Sequence, residues 1–289
     1  MSNLYATLGE IKAAVPNLQS EVNLDDVFLR SLEIASRFVE RYCRRIFFPV
    51  IATKYFDNSG KNEQWVPDLI SLTSLAYSDD DGQTYTALAS DDYILTVAGD
   101  YNSDKSYTKI ILDVNGDISI FSVGQRSVRA VGVWGYSDDR NKVFEDSQDT
   151  VENNPLSSSG TSITVNDADG LNLLGVEPRF EIGQLLRIES EYLEVTDIDY
   201  DANTLTVVRA RNGSTAASHV QNTLIEIFRP PLAVKEAVIF LGFEMLTRSF
   251  GDLSKLDAVP LKQFRLQSVN AISAEVRALL ESYIKMSVG

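Results

Sequence analysis

The sequence contains few of the side chains on which most catalytic and metal sites depend. It has one cysteine, Cys43, and one histidine, His219, among 289 residues. A single thiol cannot form an internal disulfide, and without further thiols or a neighbouring histidine it makes neither a zinc site nor a redox pair. We therefore expect no metal and no cofactor in this chain.

Long apolar runs and secretion signals are also missing. The longest apolar segment, around 237–246, is interrupted by Gly242 and Glu244, whereas a membrane helix needs about 18 uninterrupted apolar residues. The N-terminal residues contain neither the basic nor the apolar stretch of a signal peptide. We expect a chain that is made in a cytoplasm and has no membrane partner.

Basic residues are clearly outnumbered. The chain has 26 Lys and Arg against 41 Asp and Glu, a net charge of -15, which argues against a large nucleic-acid-binding face. An acidic surface suits a passage through which DNA slides without sticking, because like charges repel. A solvated acidic surface with no special target is the simpler explanation of the charge alone.

Catalytic motifs are absent from the sequence. There is no P-loop, no Gly-x-Gly-x-x-Gly, no His-Glu-x-x-His and no Gly-x-Ser-x-Gly elbow. We interpret His219 as a loop-packing residue rather than a general base. Glu189 and Glu191 lie two apart on a predicted strand, where such carboxylates are ordinary surface neighbours. The sequence therefore predicts no catalytic residues and a protein that is not an enzyme.

The first block of the chain, up to about residue 48, is predicted to be helical. A short helix is expected over Leu8–Ala14, and apolar residues at spacings of four and three predict a longer amphipathic helix over 23–45. Cations at the end of this helix complement its dipole and can also engage acidic groups of a neighbouring subunit. They are Arg37, Arg41, Arg44 and Arg45.

Strand patterns follow in two blocks separated by a polar stretch at 137–160, which is interpreted as a linker or an exposed loop. The first block, 49–136, predicts hairpins, and Asp79–Asp81 are interpreted as a solvated turn rather than a metal site. The second, 161–228, has short strands with close turn signals, which favour a small barrel or sandwich. Within it, 199–203 imitates a calcium loop but lacks the glycine and glutamate that such a loop requires, so a hairpin turn is expected.

The last block, 230–289, returns to helical patterns. Pro230 and Pro231 suit the start of a helix, and a final amphipathic helix from Ile272 carries Val276 on its apolar face. That face either packs on its own domain or docks onto a partner, and both alternatives stay open.

These blocks predict an α+β fold, with a helical core formed by N- and C-terminal helices with β-hairpins, plus an inserted small all-β barrel or sandwich domain. The expected segments are 1–150 for the N-terminal helices and hairpins, 151–229 for the inserted β domain and 230–289 for the C-terminal helices that complete the core.

Four short stretches occur in a recognisable order along the chain: Leu8–Ala14, Ile34–Phe47, Val131–Tyr136 and Pro230–Leu241. This order resembles the head-to-tail connector (adaptor) family of long-tailed phages. In that family an N-terminal helix-loop-helix, a helix ending in an aromatic-basic run, a strand ending in Gly-Tyr and a proline-started helix recur. The resemblance extends over most of the chain.

A second resemblance covers 180–196 and 205–219, which are similar to a small β module found in or attached to phage structural proteins. Its usual pattern is Arg-Gly-x-Asn-Gly-Thr before a histidine, whereas here Ala210 replaces the glycine and Ser214 the threonine. The resemblance implies a module that decorates the ring's outer wall or touches a neighbour, with His219 in a loop motif.

The connector resemblance implies a structural virion protein. Its copies would form a ring, commonly of twelve subunits, between the portal protein and the stopper or tail-completion protein, and genomic DNA would pass through the lumen without specific binding. It implies assembly in the host cytoplasm and a place in the virion neck. We assign Arg37, Arg41, Arg44 and Arg45 to subunit packing, and Leu256–Gly289, which includes Val276, to the portal contact.

Two other functions stay open at this point. One is another neck or tail-completion protein. The second is a module at 161–228 that binds a glycan or a host surface, which predicts aromatic side chains on exposed loops.

Overall fold

The computed structural model describes residues 3–14, 24–98, 100–173, 175, 177–250 and 273–285, without the side chains of 248–250. The chain divides into two compact units. The continuous unit comprises Ile46–Val143, and the discontinuous unit comprises Met1–Arg45 together with Phe144–Gly289.

The predicted α+β fold with a helical core is wrong, because the protein is β-rich. The described residues contain twelve strands in two antiparallel six-stranded sheets, and four α-helices. No helical core made of N- and C-terminal helices is evident in this part of the chain. Amphipathic periodicity shows that a helix buries one face, but it does not show how much of the hydrophobic core the helices supply.

The continuous unit is one antiparallel sheet in the order β1-β6-β2-β5-β4, with β3 paired to β2. Its strands are β1 Val50–Asn58, β2 Glu63–Tyr77, β3 Thr86–Leu88, β4 Tyr93–Thr96, β5 Tyr107–Leu112 and β6 Gly124–Trp134.

One face of this sheet is buried, as alternation along the strands requires. Trp134 packs on it among Leu69, Leu75, Ile110 and Phe121, and its indole Nε1 donates to the carbonyl of Ala52 at 2.8 Å. The hydrophobic cluster is therefore made by strand residues on this face together with Phe121 from the β5–β6 connection.

Two glycines at the end of β6 allow close backbone packing. A Cβ at Gly132 would overlap the carbonyl oxygen of Ser71 on β2. At Gly135, φ is +150° and a Cβ would lie 2.5 Å from the carbonyl oxygen of Phe48. Both glycines belong to the Val131–Tyr136 stretch, so the packing of the sheet itself requires part of that motif.

The discontinuous unit contains the second sheet, in the order β7-β12-β9-β10-β11-β8. Its strands are β7 Phe144–Thr150, β8 Ser162–Thr164, β9 Leu185–Ile188, β10 Glu191–Asp199, β11 Thr204–Val208 and β12 Leu224–Phe228. Just beyond β7, the N–H of Glu152 donates to the carbonyl of Thr164 at 2.8 Å, which bridges the two edge strands.

The interpretation of 137–160 as a polar linker is wrong at β7. This strand reads Phe-Glu-Asp-Ser-Gln-Asp-Thr and pairs with β12. It buries Ser147, whose hydroxyl donates to the carbonyl of Ile225 at 2.6 Å, and Asp149, which is 3 % exposed. A polar strand is stable here because hydrogen bonds satisfy its buried groups, and composition alone does not reveal those partners.

The interior of this sheet is apolar. Phe180, Leu193, Val195 and Leu205 are each 0 % exposed and belong to one cluster formed by residues of this sheet and its loops.

The four α-helices belong to the discontinuous unit. They are α1 Leu8–Ala13, α2 Asp25–Cys43, α3 Leu232–Phe250 and α4 Ala274–Leu280. Thr7 and Glu10 form a capping box at the start of α1. The carbonyl of Pro231 accepts the first N–H groups of α3, and Ser273 caps α4.

Candidate functional site

The predicted arginine cluster at the end of α2 divides into two pairs. Arg37 binds its own chain: its Nη2 donates to the carbonyl of Asn3 at 2.8 Å and lies 3.0 Å from Oε1 of Glu40. Nε of Arg45 donates to the carbonyl of Tyr283 at 2.8 Å. These two side chains therefore hold parts of the discontinuous unit together.

Arg41 and Arg44 are exposed. Neither guanidinium makes a hydrogen bond or an ion pair with any residue that the structure describes. Arg44 ends α2 in the left-handed conformation, with φ of 54°. The helix thus presents two free cations at its C-terminal end, where the dipole favours them.

The assigned portal contact, Leu256–Gly289, lies mostly outside the described residues, which include only 273–285 of it. Within that stretch, Val276, Leu280 and Tyr283 are buried. The N–H of Lys285 donates to the carbonyl of Cys43 at the end of α2 at 2.9 Å. The described part of α4 therefore packs on its own chain, and the portal contact stays a prediction.

Cys43 is fully buried. Burial raises the pKa of its thiol to about 12, against the smaller opposite effect of the Arg45 charge. The thiol is therefore protonated and inert at neutral pH.

His219 lies in a buried hydrogen-bond network beside β10. It is 1 % exposed and exchanges two backbone hydrogen bonds with Leu156, both 2.9 Å. Nδ1 lies 2.8 Å from Oε2 of Glu189, and Nε2 lies 2.9 Å from Oε2 of Glu191. A carboxylate oxygen faces each ring nitrogen, so neither nitrogen is accessible to an external ligand in this geometry.

Glu191 is the centre of that network and is 0 % exposed. Its carboxylate accepts two hydrogen bonds from Arg209, at 2.7 and 2.6 Å, and others from the N–H groups of Ala210 and Ala217. Burial alone would raise the pKa of Glu191, but the bonds from Arg209, Ala217, His219 and Ala210 outweigh it and lower the pKa to about 2.

Arg209 connects the network to the neighbouring loops. Its guanidinium also donates to the carbonyls of Ser157, Gly160 and Ala217 at 2.9, 2.7 and 2.6 Å. The segment from Arg209 to His219 is thus tied to β10 by a planar donor that meets several acceptors at once. The geometry of the conspicuous Arg-Ala-Arg-Asn-Gly motif is that of a structural clamp.

Ala210 occupies a left-handed conformation, with φ of 55°. This is the position at which the similar phage module usually has glycine, and glycine has no Cβ to strain there. The turn forms with alanine in its place, at a conformational cost.

Replacing Ala210 with glycine is expected to raise the free energy of unfolding by about 0.5 kcal/mol, because relief of the left-handed strain exceeds the greater entropy of the unfolded chain. Urea unfolding followed by far-UV circular dichroism measures the change. Ala216→Gly is the control, since Ala216 has negative φ and glycine should destabilise that position. Equal destabilisation by both glycines would contradict this account of Ala210.

A cavity of about 330 Å³ lies in the discontinuous unit, between the segment leading into α1 and the loops at β9 and β12. Its charged side chains are engaged with their own chain: Lys235 with Glu10 at 2.8 Å and Arg229 with Glu145 at 2.9 Å. Glu181 accepts from the N–H of Gly9 at 2.9 Å. Burial, more than the neighbouring Glu10, raises the pKa of Glu181. The cavity thus offers no free charge to a ligand.

The acidic side chains in the turns accept hydrogen bonds from hydroxyl and backbone N–H groups of their own chain. The carboxylate of Asp80 accepts hydrogen bonds from Ser78 and Thr84, which lower its pKa to about 2. Asp81 accepts from the N–H of Gln125 at 3.1 Å, and Asp199 from that of Ala202 in the β10–β11 turn at 2.9 Å. Among the described residues, no group of three His, Cys, Asp or Glu is placed to hold a metal ion.

Aromatic side chains of the 161–228 region are mostly buried. Phe180, Tyr192 and Phe228 are 0, 3 and 8 % exposed. Tyr200 is 39 % exposed, and its hydroxyl donates to the carbonyl of Phe180 at 3.0 Å. Loop aromatics of the kind expected for glycan binding are thus used in packing.

Family models, curated proteins and solved structures give no match to this chain. In the described part of the chain, no helix has both the length and the apolar character needed to cross a membrane.

The sequence did not reveal one group of surface side chains. Tyr55, Tyr85, Arg126 and Arg129 come together on the continuous unit, where each arginine lies over a tyrosine ring. Tyr55 and Tyr85 are distant in the sequence from Arg126 and Arg129. The β1–β6 pairing places Tyr55 opposite Arg129, and the hydroxyl of Tyr85 donates to the carbonyl of Arg126. A basic-aromatic alternation within one segment would have been a signal, but none exists here.

Proposed function

We propose that this chain is a structural virion protein, a head-to-tail adaptor whose copies form a ring between the portal protein and the stopper or tail-completion protein. The observation that carries the proposal is the pair Arg41 and Arg44. Both are exposed and without a partner among the described residues, in a chain whose net charge is -15. Acidic groups of an adjacent copy are their natural partners.

The placement of the resembling stretches supports the same function. Leu8–Ala14 and Ile34–Phe47 fall on α1 and the second half of α2. Val131–Tyr136 falls at the end of β6, and Pro230–Leu241 at the start of α3. The helical stretches thus overlap the helices that the resemblance implies, and β6 ends at Trp134, directly before Gly135 and Tyr136.

Charge and the His219 network agree with a passive passage for DNA. A net charge of -15 disfavours binding of the phosphate backbone. The one imidazole is enclosed by Glu189 and Glu191. We therefore propose an adaptor that acts through its surfaces in the neck of the virion, after assembly in the host cytoplasm.

Two alternatives are distinguished by specific observations. Another neck or tail-completion protein shares the support from charge and from Arg41 and Arg44, and binding to the portal separates it from the adaptor. A glycan-binding module has less support, because the aromatic residues of 161–228 are mostly buried.

We expect the purified chain, mixed with the portal protein of its phage, to form rings in negative-stain images. Arg41→Glu together with Arg44→Glu should abolish the rings, because each change replaces an attractive charge by a repulsive one. The loss of affinity between copies should be at least about tenfold.

Arg37→Gln is the contrasting variant, since Arg37 binds Asn3 and Glu40 of its own chain. It should lower thermal stability and leave assembly of the folded fraction intact. A wild-type chain that stays monomeric with both portal and stopper present would contradict the adaptor function. Rings of unchanged stability in the double variant would contradict the role of Arg41 and Arg44.

A further inference from the structure

The continuous unit carries a contiguous group of cations and aromatic rings, which we call the Arg–Tyr ladder: Arg126, Tyr55, Tyr85 and Arg129. The guanidinium of Arg126 lies 4.2 Å from the centre of the Tyr55 ring, and that of Arg129 lies 4.4 Å from the centre of the Tyr85 ring. The two rings are 5.9 Å apart. The ring planes are inclined at 49°, so the four side chains form one contiguous cluster of ring and cation contacts.

The ladder is held in place by the backbone around it. Tyr55 of β1 lies directly opposite Arg129 of β6. The hydroxyl of Tyr85 donates to the carbonyl of Arg126 at 2.9 Å, and the N–H of Arg126 donates to Asp57 at 2.7 Å. A ladder that is ordered in advance loses little conformational entropy when a partner binds.

The ladder is open to solvent. Arg126 is exposed, Tyr55 is 43 % exposed, and the other two members are half-buried. Next to it on the same face lie the half-buried Val131 and the exposed Thr53, which pair with each other across β6 and β1. Tyrosine and arginine beside an apolar side chain such as Val131 are the composition that protein interfaces favour at their centres.

The charges of the ladder are not neutralised within the described residues. Arg187 and Arg209 each lie 2.6 Å from a carboxylate oxygen, whereas the guanidinium groups of Arg126 and Arg129 contact rings and no described carboxylate. The ladder therefore presents two cations at the surface of a chain that has 41 acidic residues.

We propose that the Arg–Tyr ladder is a docking surface for a second copy of this chain, which places carboxylates opposite the two arginines. This docking proposal rests on the proposed function, because it assumes that copies of the chain assemble with one another. The ladder is flanked by Asp57 and by Asp81, whose carboxylates accept from the N–H groups of Arg126 and Gln125. A phosphate backbone would be repelled there, whereas a protein surface can place donors opposite these carboxylates and acids opposite the arginines.

Sedimentation velocity of the full chain over a concentration series, at low and high salt, tests the proposal. Arg126→Glu with Arg129→Glu should raise the dissociation constant between copies at least about tenfold. Lys61→Glu with Lys105→Glu is the matched control, because both lysines are exposed in the same unit and the change in net charge is equal. The control should move the constant less than about threefold.

Two further variants separate folding from binding. Tyr55→Phe keeps the ring and should bind like the wild type, whereas Tyr55→Ala removes the centre of the ladder and should weaken association as the arginine variants do. Arg126→Gln with Arg129→Gln removes the two charges without reversing them, and it replaces the glutamate variant if that variant does not fold. Tryptophan fluorescence checks that each variant retains the native continuous unit.

Each result bears on one proposal or the other. Rings that form with portal but are indifferent to the ladder variants overturn the ladder contact and leave the adaptor function standing. Self-association that depends on the ladder, without rings or portal binding, supports the contact and contradicts the adaptor function. A wild-type chain that is monomeric at its highest soluble concentration, or that binds a labelled oligonucleotide through the ladder, overturns the second copy as the occupant.

Discussion

Glu191→Gln is expected to lower the free energy of unfolding of the discontinuous unit by about 3 kcal/mol at neutral pH. Glutamine keeps the size of the side chain but removes the charge that faces Arg209, whose side chain is 7 % exposed. A buried guanidinium without a counter-charge retains its desolvation cost, and one amide oxygen replaces two carboxylate oxygens as acceptor.

Glu189→Gln is the matched control for this change. Glu189 also contacts His219, but its side chain is 60 % exposed, so we expect a loss below about 0.5 kcal/mol. Both tryptophans, Trp65 and Trp134, lie in the continuous unit. Glu191→Gln should shift the urea transition seen by far-UV circular dichroism further than Glu189→Gln does. Equal effects of the two variants would contradict the structural role of the Glu191–Arg209 pair.

The pH dependence of the free energy of unfolding is a second test of the contribution of ionised Glu191. The pKa of Glu191 is lowered from 4.5 to about 2 in the folded chain. A lowered carboxyl pKa contributes stability that is fully present above the unfolded value and is lost as pH falls through the folded value. The wild type should thus lose about 3 kcal/mol of this contribution between pH 4.5 and pH 2, and Glu191→Gln should lack that part of the acid dependence.

Gly132→Ala is expected to destabilise the continuous unit by about 2 kcal/mol. The added Cβ would overlap the carbonyl oxygen of Ser71 and lie 3.2 Å from Cα of Leu72. Both are backbone atoms of β2, so no side-chain rotation relieves the contact, and the β6–β2 pairing must separate locally.

Tryptophan fluorescence during urea unfolding measures this effect directly, since Trp134 lies on the same strand. Val131→Ala, at the neighbouring half-buried position, should cost less than about 1 kcal/mol. If Gly132→Ala were as mild as Val131→Ala, the close approach of the two strands would be disproved.

Single elements were well predicted where one local pattern dominates. The helix expected at Leu8–Ala14 is observed as Leu8–Ala13, because a capping box and a buried apolar stripe act within a few residues. The turn at 199–203 joins β10 and β11 as expected. By contrast, β7 escaped prediction, because its polar residues become a strand only through pairing with β12.

The candidate sites show the same division. The low content of cysteine and histidine and the net charge of -15 are properties of the sequence itself. The sequence does not show which arginines bind their own chain. In the structure, Arg37 and Arg45 bind distant parts of the chain, whereas Arg41 and Arg44 remain exposed. Helical periodicity places all four near one helix end but does not identify their partners.

The sequence by itself determined the type of several local elements and the scarcity of reactive side chains, because both depend on residues that are close together or on composition alone. Only the tertiary structure decided the β-rich fold, the clamp of Glu191 and Arg209, and the Arg–Tyr ladder. Each of these depends on strand register and on contacts between residues far apart in the chain, and register is set by which faces are buried together in the folded protein.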